Sequence, residues 1–163
     1  MWFFVILVII VIIVVVFSGK KSGKDKKLPY VRKNYFLTKA EIDFFRVLEK
    51  AVENKYYVFP QVRISDLVLV KTKREDYYKY RNKIDRKSVD FILAEKENLK
   101  PLLAIELDDS SHNYKKRRAR DEFVEKALRD AGLSLLRIKY KRAYDIQEIS
   151  KLIDDKINNV GQQ

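Results

Sequence analysis

Val89-Asp-Phe-Ile-Leu-Ala94, then Glu95-Lys-Glu-Asn-Leu-Lys-Pro101, then Leu102-Leu-Ala-Ile-Glu-Leu-Asp108: two apolar runs joined by a short polar one decide the fold. Each run has strand length and the join has hairpin length. Downstream, Asp109-Ser-Ser-His112 is a turn with several candidate N-caps. A helix is expected from about Lys115 to Ala131, stopping at Gly132, a residue suited to the left-handed C-terminal cap. Leu133 to Tyr140 reads as the next strand. A strand–helix–strand step gives a parallel pair with a right-handed crossover.

Working upstream, Tyr56 to Ile64 is rich in aromatic and β-branched residues and reads as a strand. Pro60 cannot donate to a ladder, so this strand belongs at an edge. Thr38-Lys-Ala-Glu41 is a capping-box pattern. Ile42, Phe45, Leu48 and Val52 recur behind it at helical spacing, and the helix should end near Glu53-Asn54. Lys71 to Ser88 lacks apolar periodicity and reads as a long loop, while Asp66 to Val70 takes no assignment. Near the C-terminus, Asp145-Ile-Gln-Glu148 caps a last helix whose buried face is Ile146, Ile149, Leu152, Ile153 and Ile157. The expected α/β domain, over residues 36–160, is a helix, a three-strand antiparallel meander, a helix, a parallel strand and a C-terminal helix.

Met1 to Phe17 contains no polar residue. As a helix it would rise roughly 26 Å, close to a ~30 Å hydrocarbon layer. It lacks a charged leading region, and lysines follow at once, which favours an uncleaved anchor over a signal peptide. Residues 18–35 form a basic linker, with Lys20, Lys21, Lys24, Lys26, Lys27, Arg32 and Lys33 against Asp25. Positive charge marks the cytoplasmic side. The expectation is a single transmembrane helix in the inner membrane with a cytoplasmic domain, its lysines able to rest on acidic lipid headgroups.

The chain of 163 residues carries 35 Lys and Arg against 23 Asp and Glu, a net +12, so anionic partners are favoured. There is no cysteine, which excludes disulfides, thiolate zinc sites and cysteine catalysis, and the single histidine, His112, excludes a histidine-rich metal site.

Strand alternation places Leu102, Ala104, Glu106 and Asp108 on one face and Asp90, Ile92 and Ala94 on one face of the neighbouring strand. A hairpin centred on Asn98 sets Ala94 opposite Leu102, Ile92 opposite Ala104 and Asp90 opposite Glu106. Asp90, Glu106 and Asp108 then meet at one end of the sheet. Opposed like charges destabilise a sheet. Either a hard divalent cation, Mg²⁺ or Mn²⁺, or pairing with Arg and Lys would offset that cost.

The strings Val-Asp90-Phe-Ile-Leu, Glu106-Leu-Asp108-Asp109-Ser-Ser-His112, Arg120-Asp121-Glu-Phe and Gly132-Leu-Ser-Leu-Leu-Arg137-Ile resemble the bacterial family called domain of unknown function 2726. So do Leu37-Thr38-Lys-Ala-Glu41 and Val58-Phe-Pro-Gln-Val-Arg63. That family resembles the restriction endonuclease-like nucleases with the P-D-(D/E)-x-K signature. The resemblance implies that Asp90 and Glu106 are the two signature acids and that Glu41 is a further metal-site candidate. Glu41 is fully explained as the capping partner of Thr38, which is the favoured reading. Asp108 stands where the signature has lysine; Lys115, Lys116 or Lys126 are candidates to replace that charge, and His112 is a candidate acid or base.

Two functions follow. One is a membrane-anchored, Mg²⁺-dependent nuclease using Asp90, Glu106, Asp108 and His112, with Lys79, Arg81, Lys83, Lys115, Arg118 and Arg120 along the phosphodiester backbone and tyrosines stacking on bases. The other is a catalytically inactive module binding nucleic acid or protein at the membrane.

Overall fold

The computed structural model describes residues 1–17, 27–108 and 114–159, with the side chains of 14–17 and 114–121 outside that description. The chain divides into two units, Met1–Asn34 and Tyr35–Gln163.

The first unit contains one helix, α1 (Trp2–Phe17), apolar throughout, with the side chains of Met1 to Ile13 exposed. Its 16 residues span about 24 Å at 1.5 Å per residue, short of a ~30 Å hydrocarbon layer. Among the described residues no helix is long and apolar enough to cross a membrane. The expected transmembrane helix is thereby corrected: a fully apolar run is not by itself a span. Lys20 and Lys21, invoked to extend its reach, lie outside the described residues.

The second unit is a mixed α/β domain. Its elements are α2 (Lys39–Ala51), β1 (Tyr56–Arg63), α3 (Ile64–Leu67), α4 (Arg74–Ile84), β2 (Ser88–Glu95), β3 (Pro101–Asp108), α5 (Tyr114–Asp130), β4 (Ser134–Lys139) and α6 (Ile146–Asn158). The sheet order is β1-β2-β3-β4. β1 and β2 pair antiparallel, as do β2 and β3, while β3 and β4 pair parallel across the α5 crossover. Pro60 sits on β1, an edge strand, as its missing donor requires.

Local signals set the helix ends. Thr38 and Glu41 form both bonds of a capping box, and Asp145 accepts from the backbone N–H groups of Gln147 and Glu148. Glu53 and Asn54 turn left-handed at φ 44° and 62°, ending the run out of α2. Gly132 does the same after α5 at φ 78°, where its N–H bonds the Arg129 carbonyl and the Leu133 N–H bonds that of Leu128.

Two apolar clusters cover the sheet. One joins Phe44 and Leu48 of α2 and Ile149 and Ile153 of α6 to Phe91, Leu93, Leu103 and Ile105. The other joins Val124 and Leu128 of α5, with Ile64 and Ile84, to Ile92 and Ala104. Each buried Leu, Ile or Phe contributes roughly 1.5–3 kcal/mol relative to exposure, so these clusters outweigh the surface ion pairs.

Two expectations change. The segment read as a loop holds α4, and the unassigned stretch after Ile64 begins with the short turn α3. The hairpin register keeps Ile92 opposite Ala104, but a shift after Leu93 sets Ala94 opposite Pro101 and not Leu102. The pairing of β2 with β3 ends at Phe91–Ile105, so the expected Asp90–Glu106 pair is not part of the ladder.

Candidate active site at the acidic end of the sheet

Asp90 is half-buried on β2, one residue beyond Phe91, the last residue of that strand paired with β3. Its Oδ2 accepts from the Leu107 backbone N–H at 2.9 Å. A side-chain carboxylate thus takes a backbone donor where the regular pairing of β2 with β3 has stopped. Burial raises the Asp90 carboxyl above the ordinary carboxylate value; the Leu107 N–H opposes that shift, and the negative fields of Glu41 and Asp108 add to it.

Glu106 and Asp108 share one cation. Arg137 of β4, which lies opposite Glu106 in the parallel register, donates from Nη1 to Glu106 Oε2 at 3.0 Å and to Asp108 Oδ1 at 3.1 Å. Its Nε lies 3.8 Å from Glu125 Oε2 on α5. Alternation along β3 put the two carboxylates on one face. The neighbouring strand supplies the charge between them, so the crowding expected of three acids is relieved from within the protein.

Glu41 reaches the same region from α2. Its Oε2 accepts from the Thr38 N–H at 2.7 Å, which is the capping box, and its Oε1 accepts from Gln61 Nε2 at 3.0 Å. The Gln61 side chain also favours the charged form of Asp90. Glu41 is therefore both a cap and a neighbour of the acidic end.

Asp90 thus lies in the negative fields of Glu41 and Asp108, while Glu106 is joined to Asp108 through Arg137. His112 lies outside the described residues. Lys115, Arg118 and Arg120 fall on α5, where their side chains are not described. Lys126 is paired with Asp130 at 2.8 Å, one turn along its own helix. Arg137 and Gln61 did not emerge from sequence reasoning as site residues. Arg137 carried a signal only in hindsight, since a parallel strand after β3 must set some residue opposite Glu106. Gln61 carried none beyond lying in a strand.

The basic residues Lys79, Arg81 and Lys83 lie on α4. Lys79 contacts Asp76 at 3.4 Å and Arg81 contacts Asp85 at 2.6 Å. Lys83 lies over the rings of Tyr80 and Phe123, at 5.8 and 5.6 Å from their centroids. Tyr78 and Tyr80 are exposed. Residues 71–87 hold eight Lys or Arg and three Asp or Glu, a net +5.

This is a mixed α/β domain with an acidic sheet end and a separate basic helix. Residues 33–157 match the family model described as protein of unknown function (DUF2726), and the chain belongs to that family. No curated protein and no solved structure matches the chain.

Proposed function

We propose that this domain binds nucleic acid and is a metal-dependent phosphodiesterase centred on Asp90, Glu106 and Asp108. The observation that carries the reading is a chain of carboxylates at one end of the sheet: Asp90 lies in the negative fields of Glu41 and Asp108, and Asp108 shares Arg137 with Glu106.

A divalent cation was tested against the residues present. Among the described residues no group of three or more His, Cys, Asp or Glu is arranged to hold an ion, and Arg137 stands between Glu106 and Asp108. The donor chemistry nevertheless fits Mg²⁺ or Mn²⁺, which take hard carboxylate oxygens. Asp90 and Glu106 would hold the ion with Asp108 beside them. A bound ion would supply charge to the phosphate and lower the pKa of a water.

The chain's own residues have defined tasks in this reading. Leu107 N–H orients Asp90 through Oδ2. Arg137 keeps Glu106 and Asp108 together and adds positive charge where the signature lysine is missing. α4 attracts the phosphodiester backbone through its surplus of positive charge, and its exposed tyrosines offer faces for bases.

A second reading has its own support. With two of the three acids already paired to Arg137, a non-catalytic nucleic-acid-binding domain needs no metal. One experiment separates them: the full chain and its Glu106→Gln variant are incubated with a panel of single- and double-stranded DNA and RNA, with Mg²⁺ or Mn²⁺. Metal-dependent cleavage lost in the variant supports the phosphodiesterase. Binding without cleavage by either protein leaves the binding module.

A further inference from the structure

Regular alternation keeps every second residue of a strand on one face. β1 breaks this rule. Tyr56 and Val58 pack against the α2–α6 cluster, whereas Val62 packs against the α5 cluster. β2 breaks it as well. Leu93 and Phe91 belong to the α2–α6 cluster and Val89 to the other. The pairs Pro60–Phe91 and Val62–Val89 bracket the change, so both strands exchange faces at Gln61 and Asp90, which fall opposite each other.

The backbone records the cause. Gln61 has φ +54°, in the left-handed region. For a residue with a Cβ this conformation is strained, and glycine would adopt it freely. The cost falls on a residue whose side chain is in use: Gln61 Nε2 donates to Glu41 Oε1 at 3.0 Å. Glu41 belongs to α2 and Asp90 to β2, and apart from this amide each is oriented mainly by backbone N–H groups, of Thr38 and Leu107 respectively.

We propose that Gln61 is the positioning residue of the acidic centre. Its left-handed backbone turns β1 over where β2 also changes face, and its amide holds the helix-borne Glu41 beside the Asp90 that lies opposite it. The inference rests on the phosphodiesterase reading for its consequence in catalysis, and on packing and hydrogen bonding alone for its geometry. Gln61 touches no reacting atom in this account; it acts through the two acids.

Gln61→Gly separates the two contributions, because glycine keeps the backbone conformation and removes the side chain that carries the amide. In the full chain, Gln61→Gly should lower the melting temperature. In a background already carrying Glu41→Ala and Asp90→Ala it should raise the melting temperature, since relief of the backbone then dominates. A change of the same sign in both backgrounds overturns the proposal. The catalytic readout is separate. With Mn²⁺, kcat for nucleic-acid cleavage should fall on the order of a hundredfold while KM holds, because misplacing a reacting group weakens the transition state and leaves binding to α4 untouched. An unchanged kcat in an active parent also overturns it. A parent without cleavage removes the phosphodiesterase reading alone, and the positioning role is then decided by whether the sign inverts.

Discussion

Arg137 Nη1 lies 3.0 Å from Glu106 Oε2, a strand-to-strand ion pair whose side chains are 26 % and 19 % exposed. The guanidinium also reaches Asp108 at 3.1 Å, so a single cation offsets two carboxylates on β3. Removing it leaves both charges facing each other in a partly buried place. Arg137→Met should therefore destabilise the domain by about 2 kcal/mol, the scale of a lost charge-assisted bond with an uncompensated partner. Adding Glu106→Gln should recover part of that loss. Urea denaturation of the two variants checks this; full additivity would mean the pair is not coupled.

Arg137 and a divalent cation would compete for the same oxygens. Mn²⁺ should thus raise the melting temperature of Arg137→Met more than that of the parent. A ligand binding only the folded state adds about 2.7 kcal/mol at a hundredfold excess over its dissociation constant. Equal shifts in the two proteins would place any metal elsewhere.

Asp90 is held above the ordinary carboxylate value, mainly by burial. Its folded form binds the proton more tightly than the unfolded chain does. The favourable contribution is full below the unfolded value of 3.8 and is lost as pH rises through the raised folded value. Asp90→Asn keeps an acceptor for the Leu107 N–H and removes the buried charge. Its stability advantage over the parent should grow from pH 4 towards neutrality. Denaturation midpoints at several pH values measure it, and a constant difference would show that burial of this charge is not what governs the site.

α4 should carry nucleic-acid binding. Replacing Lys79, Arg81 and Lys83 together by Gln keeps the helix while removing three charges. Affinity for DNA or RNA should drop, and the slope of log affinity against log salt should flatten by about 0.7–0.9 per lost phosphate contact. Fluorescence anisotropy across a salt series reads this. An unchanged slope would move the contact surface off α4.

Gly132 should resist substitution for a backbone reason alone. At φ 78° it has open space where a Cβ would go. Gly132→Ala should cost about 1 kcal/mol, with Gly132→Asn costing less because Asn tolerates the left-handed region. Equal costs for the two variants, measured by denaturation, would point to a steric cause instead.

Much of this domain was legible from its residues because the deciding interactions are local. Thr38 and Glu41 lie three residues apart, and Asp145 caps the helix that it begins, so these ends needed no tertiary information. Strand alternation and a short hairpin were enough to set Ile92 opposite Ala104, while the pairing of Asp90 with Glu106 expected from them lies beyond the last pair of the ladder, Phe91 with Ile105. α4 was missed because among its residues only Ile84 is buried; ion pairs along the helix and Lys83 on the Phe123 ring of α5 support it, and apolar periodicity registers neither. The apolar N-terminal run was correctly legible as helix, but its length as a helix of 16 residues overturns the span. The acidic end itself needed the tertiary structure. Arg137 reaches Glu106 only because β4 returns parallel to β3, and Gln61 of β1 meets Glu41 of α2 across twenty residues of chain. Residue types set which groups carry charge and which segments repeat; distances between groups far apart in the chain follow from how packed strands and helices close on one another.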